Sequence, residues 1–281
     1  MITRAEGHFL GHKNTELFFQ TWRGERSRGT LVVTHGLGEH SECYQLLAEG
    51  VVPSGWDIVA WDLRGHGRSE GKRGYVDSFT DYSSDLKAFL DFLQTDPDFK
   101  KRPFILVGHS MGGLITLGTI QESGLMGAAA ICLSSPLLGI SVEVPWIKEA
   151  AAHFLGKVWP GLTMGNELDY ADLSHEPTVL QNYDHDPLRH DKISVSLYLG
   201  ILENIKFVQE SAGEMRWPLL LQLAGQDRVV STPAAERFFE NYAGPDKKKI
   251  VYRESFHEIF NDVERRSVYK DLLQYVNGYL K

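Results

Sequence analysis

Gly108-His109-Ser110-Met111-Gly112 sets one serine hydroxyl between two glycines, after the apolar run Phe104 to Val107 and before a helix-like segment. A serine on a tight strand-to-helix turn needs small neighbours so that its hydroxyl stands clear, and the helix N-terminus then lies beside any anion formed there. An ordinary glycine turn is the plain alternative. A serine hydroxyl is a weak nucleophile near neutral pH and needs a base, itself oriented by a carboxylate. Behind such a turn the partners follow in the order serine, acid, histidine. Of eleven histidines, only His257 lies beyond position 190, in "YRESFHEIF" after a strand-like run. The loop after the preceding strand, in "LLLQLAGQDRVVS", offers Asp227. Asp262 and Glu254 are weaker candidates, lying after or too near the histidine, and Asp184 and Asp186 fall in a segment of different character. Ser110, Asp227 and His257 are therefore expected to form a catalytic triad.

Acyl transfer also needs two fixed N–H donors for the tetrahedral oxyanion. The amide of Met111, next after the serine, is expected to be one. The glycine-rich "VVTHGLGEH" follows an early strand, and its Leu37, between two glycines, is expected to supply the other. A second glycine-rich turn, "WDLRGHGRSEG", contains His66, which precedes the serine and reads as part of a structural turn. Neither glycine-rich segment continues into the Gly-Lys-Ser/Thr of a phosphate-binding loop. No histidine–cysteine cluster has metal-ligand spacing, so no metal and no cofactor is expected.

These residues need a scaffold. Strands are expected at 16–22, 30–36, 57–62, 104–110, 128–135, 219–225 and 249–255. Several are apolar throughout, as in a sheet covered on both faces. Helical spacing appears at 80–94, at 232–242, which opens on Thr232-Pro233 as cap and first turn, and at 261–280, which can start at Asn261 or Asp262. Alternating strands and helices predict an α/β fold with a mostly parallel sheet. From about 137 to 216 no convincing strand appears. Instead a helix at 145–160 aligns Trp146, Ile147, Ala150, Ala151, Phe154, Leu155, Val158 and Trp159, and another at 191–210 aligns Ile193, Leu197, Ile201, Ile205 and Val208. This reads as a helical insertion over one edge of the sheet.

The totals limit the partners. The chain has 281 residues and a net charge of −8, which argues against nucleic acid. The one basic run, Lys247-Lys248-Lys249, reads as a solvated turn before a strand. Two cysteines, Cys43 and Cys132, do not make a disulfide framework and suit a reducing compartment. No signal-peptide core or membrane-spanning run is present. The expectation is a cytoplasmic protein, with peripheral lipid contact left open.

With these residues identified, the chain resembles the α/β-hydrolase superfamily along essentially its full length, and within it the monoacylglycerol lipase and lysophospholipase-like group. The segments that carry the likeness are His35 to His40, Asp62 to Ser69, Gly108 to Gly113, and Asp227 with His257. The resemblance implies a hydrolase core of residues 1–136 and 217–281, a helical cap at 137–216, and an acyl-enzyme on Ser110 formed from single-chain lipid esters such as monoacylglycerols. A lysophospholipase or broad carboxylesterase is the nearest alternative; an aminopeptidase of the same superfamily and a non-catalytic ligand-binding protein are more distant ones. It further implies head-group contacts at Glu39 and Tyr183. Two positions depart from the group: Cys43 stands where an arginine is common, and Phe260 where a second histidine is. A head-group pocket of reduced polarity, and hence a broad esterase, is the expectation that follows.

Overall fold

Apolar residues at successive positions of a strand are buried on both faces of a sheet, and the inner strands of this sheet are buried throughout. In the computed structural model, residues 1–141, 146–183 and 185–280 are described, the side chains of 146–151 excepted. The strands are β1 (Thr3–Leu10), β2 (Glu16–Arg23), β3 (Gly29–Thr34), β4 (Trp56–Trp61), β5 (Phe104–His109), β6 (Ala130–Ser134), β7 (Thr163–Gly165), β8 (Lys192–Ser194), β9 (Leu219–Ala224) and β10 (Lys247–Tyr252). The helices are α1 (Gln45–Val51), α2 (Thr80–Leu93), α3 (Pro97–Lys100), α4 (Met111–Ser123), α5 (Trp146–Val158), α6 (Pro177–Tyr183), α7 (Val195–Ser211), α8 (Thr232–Asn241) and α9 (Arg265–Val276).

Eight strands form one sheet in the order β1-β2-β4-β3-β5-β6-β9-β10. The pairs β1–β2 and β2–β4 are antiparallel and the others parallel. Side chains alternate between the faces. Leu31, Val33, Ile105 and Val107 pack against α1 and α9, through Leu47, Val51, Val268 and Leu272. Val32 and Leu106 face the other way, toward Leu86 and Phe89 of α2, Leu114 of α4 and Phe238 of α8. Burying each such side chain is worth about 1.5–3 kcal/mol, so the central strands are held firmly from both sides.

The described residues of the segment between β6 and β9 pack onto the core of the sheet. Leu197, Ile201 and Val208 of α7 join the same apolar cluster as α2 and α4, and Gly200 lets Phe79 approach the α7 backbone. Phe154, Val158, Trp159 and Met164 remain exposed. The side chains of Trp146, Ile147, Ala150 and Ala151, and residue Asp184, lie outside the described residues.

Several elements differ from the sequence reading, each for a physical reason. β1 was not anticipated because, on this edge strand, only Phe9 is buried and no apolar run exists. β7 and β8 pair inside the 137–216 segment but span three residues each, too short to show a period. Lys247, Lys248 and Lys249 are strand β10 rather than a turn. The Lys247 ammonium donates to the carbonyls of Phe239 (2.7 Å) and Tyr242 (2.6 Å), and Lys249 meets Glu236 at 2.6 Å. Lysines along an exposed edge also discourage pairing with another sheet. The cap of α8 is Ser231, whose hydroxyl accepts the Ala234 amide at 3.3 Å, and Thr232 is the first helical residue. α9 begins at Arg265, because Asp262 is committed to the preceding loop, accepting the amides of Phe256 (2.6 Å) and His175 (2.7 Å).

Two glycines of α4 differ in what surrounds them. A Cβ on Gly112 would come within 2.1 Å of the Thr34 carbonyl oxygen and 2.5 Å of that of His35, whereas one on Gly118 meets only the Asn204 amide oxygen at 3.6 Å. Gly112→Ala should cost about 2 kcal/mol or more by forcing buried backbone apart, and Gly118→Ala should gain about 0.5–1 kcal/mol from helix propensity. Urea denaturation of both variants checks the pair; a stable Gly112→Ala protein would contradict the contact.

Candidate active site

The turn between β5 and α4 places Ser110 at φ 50°, ψ −122°, where a residue with a Cβ is strained. Main-chain bonds hold it there. The Ser110 amide donates to the Ser134 carbonyl (3.1 Å), and its own carbonyl accepts from Gly113 (3.0 Å) and Leu137 (3.0 Å). A Cβ on Gly36 would lie 3.0 Å from the Cβ of Ser110, so the loop after β3 rests directly on the serine. Among the described residues, the amides of Leu37 and Met111 have no hydrogen-bond acceptor. His35 shapes this loop. Its Nδ1–H donates to the Gly36 carbonyl (2.7 Å) and its Nε2 accepts the Leu63 amide (3.0 Å). Burial lowers the pKa of His35 and keeps this pattern neutral.

At the carboxyl end of β9, Asp227 accepts the amides of Val229 and Val230, both at 2.9 Å, on Oδ1. Its Oδ2 lies 2.8 Å from Nδ1 of His257, which follows β10. Burial would raise the Asp227 pKa, but His257 and the two amides outweigh it and hold the carboxyl below its usual range. An ionised Asp227 fixes the proton of His257 on Nδ1 and leaves Nε2 as an acceptor. Ser110 and His257 line one cleft. The structure thus brings together the serine, acid and histidine that the sequence singled out. Of the other acids, Asp262 organises the loop around His257, and Asp186 pairs with His40. His66 is buried, donates from Nδ1 to the Arg64 carbonyl (3.1 Å) and packs between His35 and His190; burial keeps its pKa well below the ordinary value.

The polar side of the cleft departs from the expectation. Glu39 lies in it, accepting the Gly36 amide (3.0 Å) and the Tyr44 hydroxyl (3.1 Å), with His109 Nε2 at 3.5 Å. Burial would raise its pKa, but His109 and then Arg189 hold it well below the usual carboxylate range. An arginine from a distant part of the chain reaches Cys43. Arg189, between β7 and β8, places a guanidinium nitrogen 3.3 Å from the Cys43 sulfur and 3.2 Å from Glu258 Oε1. Both side chains of this ion pair are 3% exposed. Tyr183 does not line the cleft. It donates its hydroxyl to Glu258 Oε2, and its ring centre lies 3.4 Å from the Arg189 guanidinium carbon. Phe260 is in the core beside Tyr44 and Tyr269, away from the cleft. The expectation of a less polar pocket therefore fails. Glu258 had a signal, its position beside His257; Arg189 had none, since 146 residues separate it from Cys43. About 30 Å³ is open within the cleft, room for one water molecule or so.

Fold and site together define the class, a serine hydrolase on the α/β-hydrolase sheet. Residues 25–264 match the family model described as serine aminopeptidase, S33, and the chain belongs to that family. Among its relatives, the monoacylglycerol lipase of Mycolicibacterium smegmatis is 28% identical over 281 residues, covering 99% of both chains. Phospholipase YtpA of Bacillus subtilis is 29% identical over 261 residues, covering 92% of this chain and 99% of its own. The crystal structure of the Paleococcus ferrophilus monoacylglycerol lipase aligns with a TM-score of 0.81 at 29% identity, over 98% of each chain. Among the described residues, no group of histidine, cysteine or carboxylate side chains is arranged to hold a metal ion, and no helix is long and apolar enough to cross a membrane.

The site loop is tied to the 137–216 segment by His40, whose Nε2 lies 2.8 Å from Asp186. Burial opposes its charge, but Cys43 and Asp186 raise its pKa to about 9. A raised folded-state pKa stabilises the protein fully below the unfolded value, about 6.5, and the gain disappears as pH rises through the folded value. The stability difference between wild type and His40→Gln, from thermal or urea melts, should be largest and flat below about pH 6.5 and vanish toward pH 9. A difference independent of pH would exclude a protonated His40.

Proposed function

We propose that this chain hydrolyses carboxylic esters of single-chain lipids, monoacylglycerols foremost, through an acyl-enzyme on Ser110. The observation that carries the reading is the 2.8 Å Asp227–His257 pair opening onto the cleft that Ser110 lines. His257 Nε2 takes the Ser110 proton as the hydroxyl oxygen attacks the ester carbonyl. The amides of Leu37 and Met111 receive the negative oxygen. The proton then passes from His257 to the departing glycerol oxygen, and water repeats the sequence to release the fatty acid. The strained backbone of Ser110 keeps its hydroxyl clear of the helix.

Lipases of this name among full-length relatives support the substrate. A phospholipase relative of equal identity supports a second reading, hydrolysis of lysophospholipids. The small open volume of the cleft supports a cap role for residues 137–216. Exposed Phe154, Val158, Trp159 and Met164 on that segment support contact with a lipid surface during entry. The unpaired Cys43 and Cys132 fit a cytoplasmic setting.

A fluorophosphonate probe should label wild type and not Ser110→Ala. Ser110→Ala should lower kcat on a monoacylglycerol by about a thousandfold or more with unchanged circular dichroism, and Asp227→Asn should do nearly the same. A folded Ser110→Ala protein with substantial activity would sink the mechanism. For the lipid contact, the Trp159 contribution to fluorescence, taken as wild type minus Trp159→Phe, should shift to the blue with liposomes. An unchanged spectrum would remove that contact.

A further inference from the structure

Resemblance alone makes Glu39 a head-group contact, but its hydrogen bonds run inward. Oε2 accepts both the Gly36 amide (3.0 Å) and the Tyr44 hydroxyl (3.1 Å), and Oε1 lies 3.5 Å from Nε2 of His109. The loop after β3, the turn before α1 and the last residue of β5 thus meet at one carboxylate. An acceptor-only group suits such a junction of donors. The peptide that matters most is Gly36. A Cβ there would lie 3.5 Å from the Glu39 carboxyl carbon and 3.0 Å from the Cβ of Ser110, so Gly36 is wedged between the two. Its carbonyl shares a trans peptide plane with the Leu37 amide, and the two point in opposite directions. That carbonyl accepts from Nδ1 of His35 (2.7 Å) and from the Glu39 amide (3.5 Å). Glu39 therefore holds Gly36 at both ends, its carboxylate on the amide and its amide on the carbonyl. His109, whose Nδ1–H donates to the Ser134 carbonyl (3.0 Å), links the same carboxylate to the residue before Ser110.

We infer that Glu39 is a positioning residue for the oxyanion: its carboxylate fixes the Leu37 amide relative to the Met111 amide, and so acts on every ester cleaved at Ser110, whatever its head group. The inference rests on the ester-hydrolase reading of this site. Oxyanion donors work because they are already in place when the charge forms. The Leu37 amide sits on a loop and needs an outside support for that. The neighbouring elbow is braced by the sheet, and the Glu39–His109 contact ties the loop to it. Tyr44 belongs to the core behind α1 and reaches the site through Glu39.

The test measures kcat and KM on two esters of one fatty acid, the monoacylglycerol and the ethyl ester, which has no free hydroxyl to bind. Glu39→Ala should lower kcat by about a hundredfold on both esters alike, with KM little changed, the scale of one misplaced oxyanion donor. Glu39→Gln should recover most of that loss, because its amide oxygen can still accept from Gly36 and Tyr44. Tyr44→Phe should lower kcat on both esters by about tenfold, the scale of one hydrogen bond to a charged acceptor, and serves if Glu39→Ala does not fold. A long-chain trifluoromethyl ketone gives a readout that loosened packing would not move in step. Ser110 Oγ bonds its carbonyl carbon, the serine proton passes to His257, and the carbonyl oxygen becomes the oxyanion. Its affinity should weaken in each variant by the same factor as kcat. A loss confined to the monoacylglycerol and to KM would make Glu39 a head-group contact and overturn the inference. So would a folded Glu39→Ala or Tyr44→Phe protein with wild-type kcat on the ethyl ester, or undiminished ketone affinity. Failure of the ester-hydrolase reading is distinct: wild type would then show no Ser110-dependent cleavage of either ester, and the inference would fall with it.

Discussion

One residue with a positive φ, Ser110, governs the geometry of this end of the sheet. A strand that must end in a strained serine needs its neighbours to approach more closely than side chains permit. That is why α4 starts against β3, with the Thr34 and His35 carbonyls where a Cβ of Gly112 would stand, and why Gly108 abuts the backbone of Gly113. The strain persists because the turn is over-determined. β5 is paired on both sides, with β3 and β6, and the Ser110 backbone is bonded to Ser134, Gly113 and Leu137. A sheet buried on both faces supplies the rigidity that such a turn demands.

The same burial makes polar groups near the serine expensive unless each has a defined partner. The histidines show two solutions. Burial lowers the pKa of both His35, against Asp62 and Glu39, and His66, where His190 and His35 add to it, and both rings act as hydrogen-bonding spacers under the glycine loops. His109 goes the other way: although burial opposes its charge, Glu39 raises its pKa, and the two side chains lie 3.5 Å apart behind the serine loop. Asp62 plays a comparable part for the main chain. It accepts the Ser41 and Arg68 amides, both at 2.7 Å, and so joins the two glycine-rich loops after β3 and β4.

The segment between β6 and β9 has two commitments. α7 completes the apolar core against α2 and α4, while Arg189, Asp186 and His175 reach core groups through ionic or hydrogen-bonded contacts. The first contact is apolar and broad. The second is polar and local, so it can separate without dissolving the core.

Local chemistry was enough to read much of this protein. A serine between glycines, a late histidine and an aspartate at the end of a strand are each signals within a few residues, because strand ends and turns are local features. The doubly covered strands were equally legible, since burial on both faces leaves an unbroken apolar run. Features that depend on distant chain segments were not legible. β1 is an edge strand with one buried side chain, β7 and β8 exist only through each other, and the lysines of β10 have their partners across α8. The polar side of the cleft is the clearest case. Nothing in the sequence around Cys43 shows that Arg189 approaches it. A guanidinium has to reach a place in space, not a place in the chain, and only the packing of the inserted segment onto the sheet decides which residue arrives there.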